Sequence, residues 1–397
     1  MADLLVWTRH WRGPRAAIVS AALPTIAAMQ RFDVQVSGAG IVGKSLALSL
    51  ARLGLSVALR GAPASAARDD VRAYALNAAS VDLLQRLKVW DSLGAGATTP
   101  VHDMVVHGDS ASGQLEFSAW EQRVGTLAVI TDAAALEHAL DTALGFAPHV
   151  TRTGADVAAT LVAHCEGRGA AASLHALDAG FERSDYGQKA IAARLVATLP
   201  HRHVARQWFR SPDVLALLPF DRPAAACSYA LVWSLPAERA DALLAMEPAA
   251  FEAELGEAAG AEVGALRLGS ERAAWPLVVG GAANWCGPGW VLVGDAAHLV
   301  HPLAGQGLNL GLADVGALSA VIAEREPWRG VGDERLLRRY VRQRAAPTWA
   351  MTRITDGLLR LFAEPSAPIR ELRNNGMSIV NRIAPIKRWL TARALDS

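Results

Sequence analysis

The segment Gly38-Ala39-Gly40-Ile41-Val42-Gly43 limits the possible fold more than any other part of this 397-residue chain. It follows an apolar stretch, Phe32 to Val36, and opens a run with Leu46, Leu50 and Leu53 in helical register. A second apolar stretch, Ser56 to Leu59, comes next. Strand, glycine turn, helix and strand in that order predict the start of a parallel sheet. The glycines have separate tasks in such a unit. Gly38 makes the tight turn, Gly40 admits a pyrophosphate to the backbone, and Gly43 lets helix and strand pack closely.

A second nucleotide signal lies far downstream, in VLVGDAAHLVHPLAGQGLN, residues 291–309. A short strand, Val291 to Val293, stops at Gly294-Asp295. A carboxylate at a strand end can hold the hydroxyls of a sugar or sugar alcohol. After Pro302, Gly305 and Gly307 open a helical pattern that carries Leu308, Leu312, Val315 and Leu318 on one face. Glycines there bring unpaired N–H groups close to an electron-rich ligand. One expected piece is absent, because the second strand ends Arg60-Gly61 where an acid normally holds the adenosine ribose. Arg60 could instead meet a 2′-phosphate, which would suggest bound NADP. The Gly294-Asp295 segment has no use in a simple NADP dehydrogenase and favours FAD.

Together these segments resemble the flavin-dependent aromatic hydroxylases of the para-hydroxybenzoate hydroxylase type, and among them the ring hydroxylases of ubiquinone biosynthesis. The likeness rests on residues 33–59, on Asp70-Val71-Arg72-Ala73-Tyr74-Ala75-Leu76-Asn77, and above all on 294–309. Asp185-Tyr186-Gly187-Gln188, Leu217-Leu218-Pro219 and Arg373-Asn374-Asn375-Gly376 are weaker echoes. The family's middle Asp-Gly pair stands here as Cys165-Glu166-Gly167, and the arginine after it is out of register, at Arg168.

The resemblance implies an α/β protein with a Rossmann-like FAD-binding domain interleaved with a mixed β-sheet substrate domain and followed by a C-terminal helical segment. The expected division gives the FAD domain residues 29–100, 130–180 and 285–325. The substrate domain takes 101–129 and 181–284, and the helical region 326–397. Residues 1–28, with Arg9, Arg12 and Arg15 before an apolar stretch, are expected to be an extension outside the fold. The cofactor residues implied are Gly38, Gly40, Gly43, Arg72, Glu166, Gly167, Gly294, Asp295, Gly305, Gln306, Gly307, Leu308 and Asn309. Pro302 and Gly305 would sit at the reacting face of the flavin. His298 and His301 would hold the turn by hydrogen bonding, and Trp208, Phe209, Phe220, Tyr229 and Trp233 are candidates to line a substrate pocket.

The implied reaction is hydroxylation of an aromatic, polyprenylated phenol ring by FAD, NADH or NADPH, and dioxygen through a flavin hydroperoxide. Two other readings stay open. One is a different FAD oxidoreductase of the same fold, such as a halogenase or polyprenyl reductase; no two tryptophans are separated by a single residue, as a halogenase would require. The other is a flavoprotein-like scaffold in a biosynthetic complex. Charge is nearly balanced, 39 Lys and Arg against 38 Asp and Glu, so no nucleic-acid partner is expected. Three scattered cysteines, Cys165, Cys227 and Cys286, show neither disulfide nor metal spacing. The expected location is cytoplasmic; the basic and aromatic tail around Lys387, Arg388 and Trp389 either packs on the body of the protein or rests peripherally on a membrane surface.

Overall fold

The computed structural model describes residues 31–61, 70–108, 113–167, 179–300 and 306–363. The first unit is β1 (Phe32–Ser37), α1 (Ile41–Ala51) and β2 (Val57–Arg60). After it come β3 (Ala73–Leu76), α2 (Ala78–Arg86), β4 (Thr98–Val101), β5 (Asp103–His107), β6 (Gln114–Ser118) and the short α3 (Ala119–Gln122). Then β7 (Ala128–Asp132), α4 (Ala133–Gly145), β8 (Val150–Thr153) and β9 (Ala159–His164) return the chain to the first unit. The middle contains β10 (Phe181–Ala197), β11 (Val204–Arg210), β12 (Asp213–Phe220), β13 (Ser228–Pro236), α5 (Ala237–Ala245) and α6 (Pro248–Ala259). It ends with β14 (Leu266–Leu268) and β15 (Ala273–Ala282). The last part is β16 (Cys286–Gly287), β17 (Trp290–Leu292), β18 (His298–Leu299), α7 (Gln306–Ala323) and α8 (Glu334–Ala363).

The chain is of the α/β class, as expected. One sheet runs β16-β17-β9-β1-β2-β8 and is parallel from β17 to β8. Its strand order reverses at β1, where β2 lies to one side and β9 to the other. That is where such sheets open a crevice at their carboxyl ends. α1 is apolar nearly all round, because it is enclosed by β1, β2, α4 and α7. Its single charge, Lys44, is fully buried.

A second, mostly antiparallel sheet runs β18-β15-β10-β13-β12-β11-β5-β6, with β14 beside β10. The apolar stretch Ile191 to Val196, which reads as a strand in the sequence, is the end of the longer β10, which pairs with β15 from Phe181 onward through an irregularity between Asp185 and Gln188. The polar run before Ile191 hid that first half. A three-stranded sheet, β3-β7-β4, was not legible and packs Ile130 and Val101 against Phe220 of the large sheet. Side chains cap the helices beside it: Asn77 accepts the Ser80 N–H at 2.9 Å, and Asp132 accepts the Ala135 N–H at 3.0 Å.

The Gly294-Asp295 segment bridges the two main sheets. β17, before it, belongs to the parallel sheet, while β18, just after it, pairs with Gly280-Gly281 of the large one.

Candidate functional site

The three glycines after β1 are constrained in three different ways. Gly38 has a positive φ of 111°, and a Cβ there would lie 2.6 Å from the carbonyl carbon of Cys165. Gly43 has no room either, since its Cβ would run into the Gly38 carbonyl oxygen. Gly40 is different: nothing lies within 4 Å of where its Cβ would be. It also caps α1 with extended backbone and no side-chain hydrogen bond, and the first turn of α1 holds no acid. The unpaired N–H groups of that turn carry the positive end of the helix dipole. An open glycine between two packed ones, at an uncapped helix start, fits a pyrophosphate.

β9 brings the Cys165-Glu166-Gly167 corner against this turn. Cys165 donates its N–H to Ser37 O at 2.6 Å, and Glu166 pairs with Arg60 across the end of β1. His164 Nδ1 lies 3.3 Å from the second oxygen of Glu166. The His164 hydrogen bond outweighs partial burial and holds the Glu166 carboxyl below its ordinary pKa. Gly167, at φ 58°, faces Asp295: its Cβ would be 3.6 Å from the Asp295 Cβ. The departure from an Asp-Gly pair therefore leaves a charged carboxylate and a left-handed glycine in place.

Gly294 has a φ of 64° and stacks between Val42 of α1 and Gly311 of α7. Its N–H is taken by Asp314, which the sequence reading missed. Asp314 has no exposed surface, yet it meets His298 Nε2 at 2.6 Å and Arg344 Nε at 2.7 Å. Burial would raise its pKa, but His298 and Arg344 reverse that, and the net shift is downward. His298 thus holds the turn, as expected, through Asp314. The available signal was that Asp314 is the lone charge in the otherwise uncharged α7.

The expected flavin-facing residues are only partly visible. His301, Pro302 and Gly305 lie outside the described residues. Gln306, Gly307, Leu308 and Asn309 form the first turn of α7, whose start has no acid. Gly307 does not need unusual backbone angles, and its Cβ would make only an ordinary 3.8 Å contact with Val300. The Asn309 side chain is committed elsewhere. It accepts from Asn77 N at 3.1 Å and Ser80 Oγ at 2.8 Å, and donates to Ala75 O at 2.8 Å. Its side chain therefore ties the start of α7 to β3 and α2.

Arg72 is gripped by Asp70, whose oxygens lie 2.6 Å from Nη2 and 2.9 Å from Nε. Hydrogen bonding to Asp70 raises the Arg72 pKa further. Glu137 links it to α1, lying 3.8 Å from Arg72 and 3.6 Å from Lys44. The neighbouring Tyr74 is pushed up to about 12 by burial, and Asp295 is among the carboxylates that add to the rise. The arginine-bearing segment therefore borders the same crevice.

The large sheet has unlike faces. Ile191, Ala193 and Leu195 share one with Tyr229, Leu231 and Trp233, packed against Leu243, Phe251 and Leu255 of α5 and α6. The other carries small residues at its centre: Ala190, Ala192, Ala216, Ala230, Val232 and Ser234. Arg194 on that face donates to Arg72 O at 2.7 Å, stacks on the Phe220 ring and lies 3.4 Å from Asp132. The small-residue face thus fronts the nucleotide half. Trp208, Tyr229 and Trp233 belong to the helix-covered face and cannot line a pocket on the other. A cavity of about 350 Å3 bordered by Trp208, Asp213, Trp233 and Arg239 lies on that covered side. Phe209 packs with Val106 and Val214, and Phe220 against the three-stranded sheet.

Comparisons with known proteins agree with this geometry. The FAD binding domain family matches residues 131–355. A ubiquinone hydroxylase of Rhodospirillum rubrum is 32% identical over 391 residues, covering 92% of this chain and 90% of that protein. The 3-demethoxyubiquinol 3-hydroxylase of Escherichia coli is 30% identical over 397 residues, covering 92% and 99%. Among solved structures, a probable FAD-dependent monooxygenase of Pseudomonas aeruginosa superposes with a TM-score of 0.69 at 20% identity, over 87% of this chain and 99% of that one. A Klebsiella pneumoniae protein complexed with FAD and uric acid gives 0.68 at 17% identity, over 91% and 96%.

Proposed function

The chain belongs to the FAD-binding hydroxylases that include the enzymes of ubiquinone biosynthesis, and from that membership we propose that it hydroxylates the ring of an aromatic quinone precursor. It is an FAD-dependent monooxygenase. The ring C–H and one atom of dioxygen become C–OH, and the other oxygen atom leaves as water. A nicotinamide donor, NADH or NADPH, and a proton balance the equation. The observation that carries this reading is the glycine turn after β1, open at Gly40 and packed at Gly38 against the Cys165-Glu166 corner, whose Gly167 faces Asp295.

FAD, when bound, supplies redox and oxygen chemistry that no side chain can. The protein binds, orients and shields. The start of α1 holds the pyrophosphate through its free N–H groups, with Gly40 leaving room for it. Asp295 accepts hydroxyls of the ribityl chain. The first turn of α7, Gln306 to Asn309, places its N–H groups and dipole where reduction puts negative charge on the ring. Asp314, with His298 and Arg344, fixes that helix relative to Gly294. Pro302 and Gly305, in the segment between β18 and α7, are assigned to the reacting face. The face of small residues on β10, β12 and β13 is the proposed cover for the substrate ring, from which water must be excluded.

The substrate is assigned as a phenol with a polyprenyl tail, which the protein meets at a membrane surface or within a biosynthetic complex. No helix among the described residues is long and apolar enough to cross a membrane. The test is turnover: purified yellow protein, given NADH or NADPH, air and a polyprenylated phenol in detergent, should yield a product heavier by one oxygen atom. Flavin-loaded protein that returns every such phenol unchanged would refute the assignment.

A further inference from the structure

Dinucleotide-binding units usually close the ribose end with a carboxylate near the tip of the second strand. Here β2 ends in Arg60. The next position cannot carry the acid either, because a Cβ at Gly61 would lie 2.6 Å from Ala39 Cβ and 2.9 Å from Ala39 N. Two carboxylates nevertheless converge on this tip. Arg60 Nε lies 3.0 Å from Asp156 Oδ1, and Nη2 bonds Glu166. Asp156 comes from the turn between β8 and β9. Gln35 Nε2 holds the same Oδ1 at 2.7 Å, and the Gln35 Oε1 accepts the Val157 N–H at 2.7 Å. Gln35 is buried, so this turn is fixed from within the sheet. Arg60, Asp156 and Glu166 together carry one net negative charge, which is what a lone strand-tip acid would supply. Glu166 is also engaged by His164, whereas Asp156 keeps 74% of its side chain exposed.

We propose that Asp156, clamped by Arg60 and Gln35, replaces the strand-tip acid and accepts the adenosine ribose hydroxyls of bound FAD. The assignment rests on the FAD reading above. It also settles what Arg60 does: its guanidinium is neutralised by two carboxylates, so it positions an acceptor and does not receive a 2′-phosphate. The site therefore selects an unphosphorylated ribose.

Calorimetric titration of the full-length protein, freed of flavin, with ADP, 2′-deoxy-ADP and 2′,5′-ADP tests this. A hydrogen bond to a charged acceptor implies that ADP binds roughly tenfold tighter than 2′-deoxy-ADP or better. The 2′-phosphate should be disfavoured more strongly. Asp156→Ala should abolish the difference between ADP and 2′-deoxy-ADP while ADP still binds, with a modest fall in melting temperature from the lost Gln35 and Arg60 contacts. Equal affinity of the wild type for ADP and 2′-deoxy-ADP, or tighter binding of 2′,5′-ADP, would overturn the assignment. Failure of both ADP and FAD to bind would instead overturn the FAD reading, and this assignment with it.

Discussion

Gly40 and Gly43 stand three residues apart in one motif and obey opposite constraints. Gly43 is fixed by packing, because a methyl group there would enter the Gly38 carbonyl. Gly40 has empty space around its missing side chain and an ordinary backbone φ of −80°. Gly43→Ala should therefore lower the melting temperature markedly. Gly40→Val should leave it within a few degrees, since a poorer N-cap costs only about 1 kcal/mol, while flavin binding is lost. Thermal melts and flavin absorbance of the two variants separate these outcomes, and equal melting losses in both would deny that Gly40 is a ligand position. At Asp295 the expectation is a folded Asp295→Ala variant with flavin affinity reduced tenfold to a hundredfold, roughly the 1.5–3 kcal/mol of a hydrogen bond to a charged group. Full flavin retention through dialysis would remove Asp295 from the cofactor site.

The decisive contact at the level of elements is the clasp of α7 on the Gly294 turn and on α8. Asp314 carries it, since one carboxylate meets His298, Arg344 and the Gly294 N–H. Asp314→Asn leaves the half-buried Arg344 and the buried His298 without their counter-charge and should cost about 3–5 kcal/mol, measurable by urea unfolding. The lowered pKa of Asp314 gives a pH signature as well. A group with a depressed folded pKa adds stability that is full above its unfolded value, about 3.9, and is lost as the pH falls through the folded value. Wild-type protein should lose this contribution only below about pH 4, and the acid limb of the Asp314→Asn stability profile should be shallower. Identical acid limbs would show that the clasp is not ionic.

The same elements show what the sequence reveals and what it hides. β1, α1 and β2 were legible because local periodicity and glycine spacing determine them. The Gly294-Asp295 turn was legible because few chemistries need glycine, acid and a glycine-led helix in that order. That Gly61 has no room for the missing acid was hidden, because its contact with Ala39 joins the turns after two different strands. Trp208, Tyr229 and Trp233 looked like pocket residues until strand register set their face, and a one-residue alternation decides that. Asp314 and Asp156 act across 20 and 121 residues, on Gly294 and Gln35. Neither partner is visible in a single sequence.

At the scale of the whole molecule, the Gly294-Asp295 turn joins the parallel sheet, proposed to hold the nucleotide, to the large sheet, proposed to cover the substrate. Cofactor loading and substrate seating should therefore be coupled. If the substrate has a polyprenyl tail, the protein must also reach a bilayer. Exposed Trp349, with Arg353 over its ring on α8, suits a peripheral contact. The full chain should float with vesicles containing polyprenylated phenol, and Trp349→Ala should reduce the floating fraction. Flotation unaffected by that change would move the contact to another surface.

The central claim is that this chain transfers an atom of dioxygen to an aromatic ring. The most direct measurement is a turnover in isotopically heavy dioxygen and ordinary water, with flavin-loaded protein, NADH or NADPH and a polyprenylated phenol. The account predicts one heavy oxygen atom in each new ring hydroxyl. Nicotinamide oxidation that yields only hydrogen peroxide and unlabelled, unchanged phenol would contradict it.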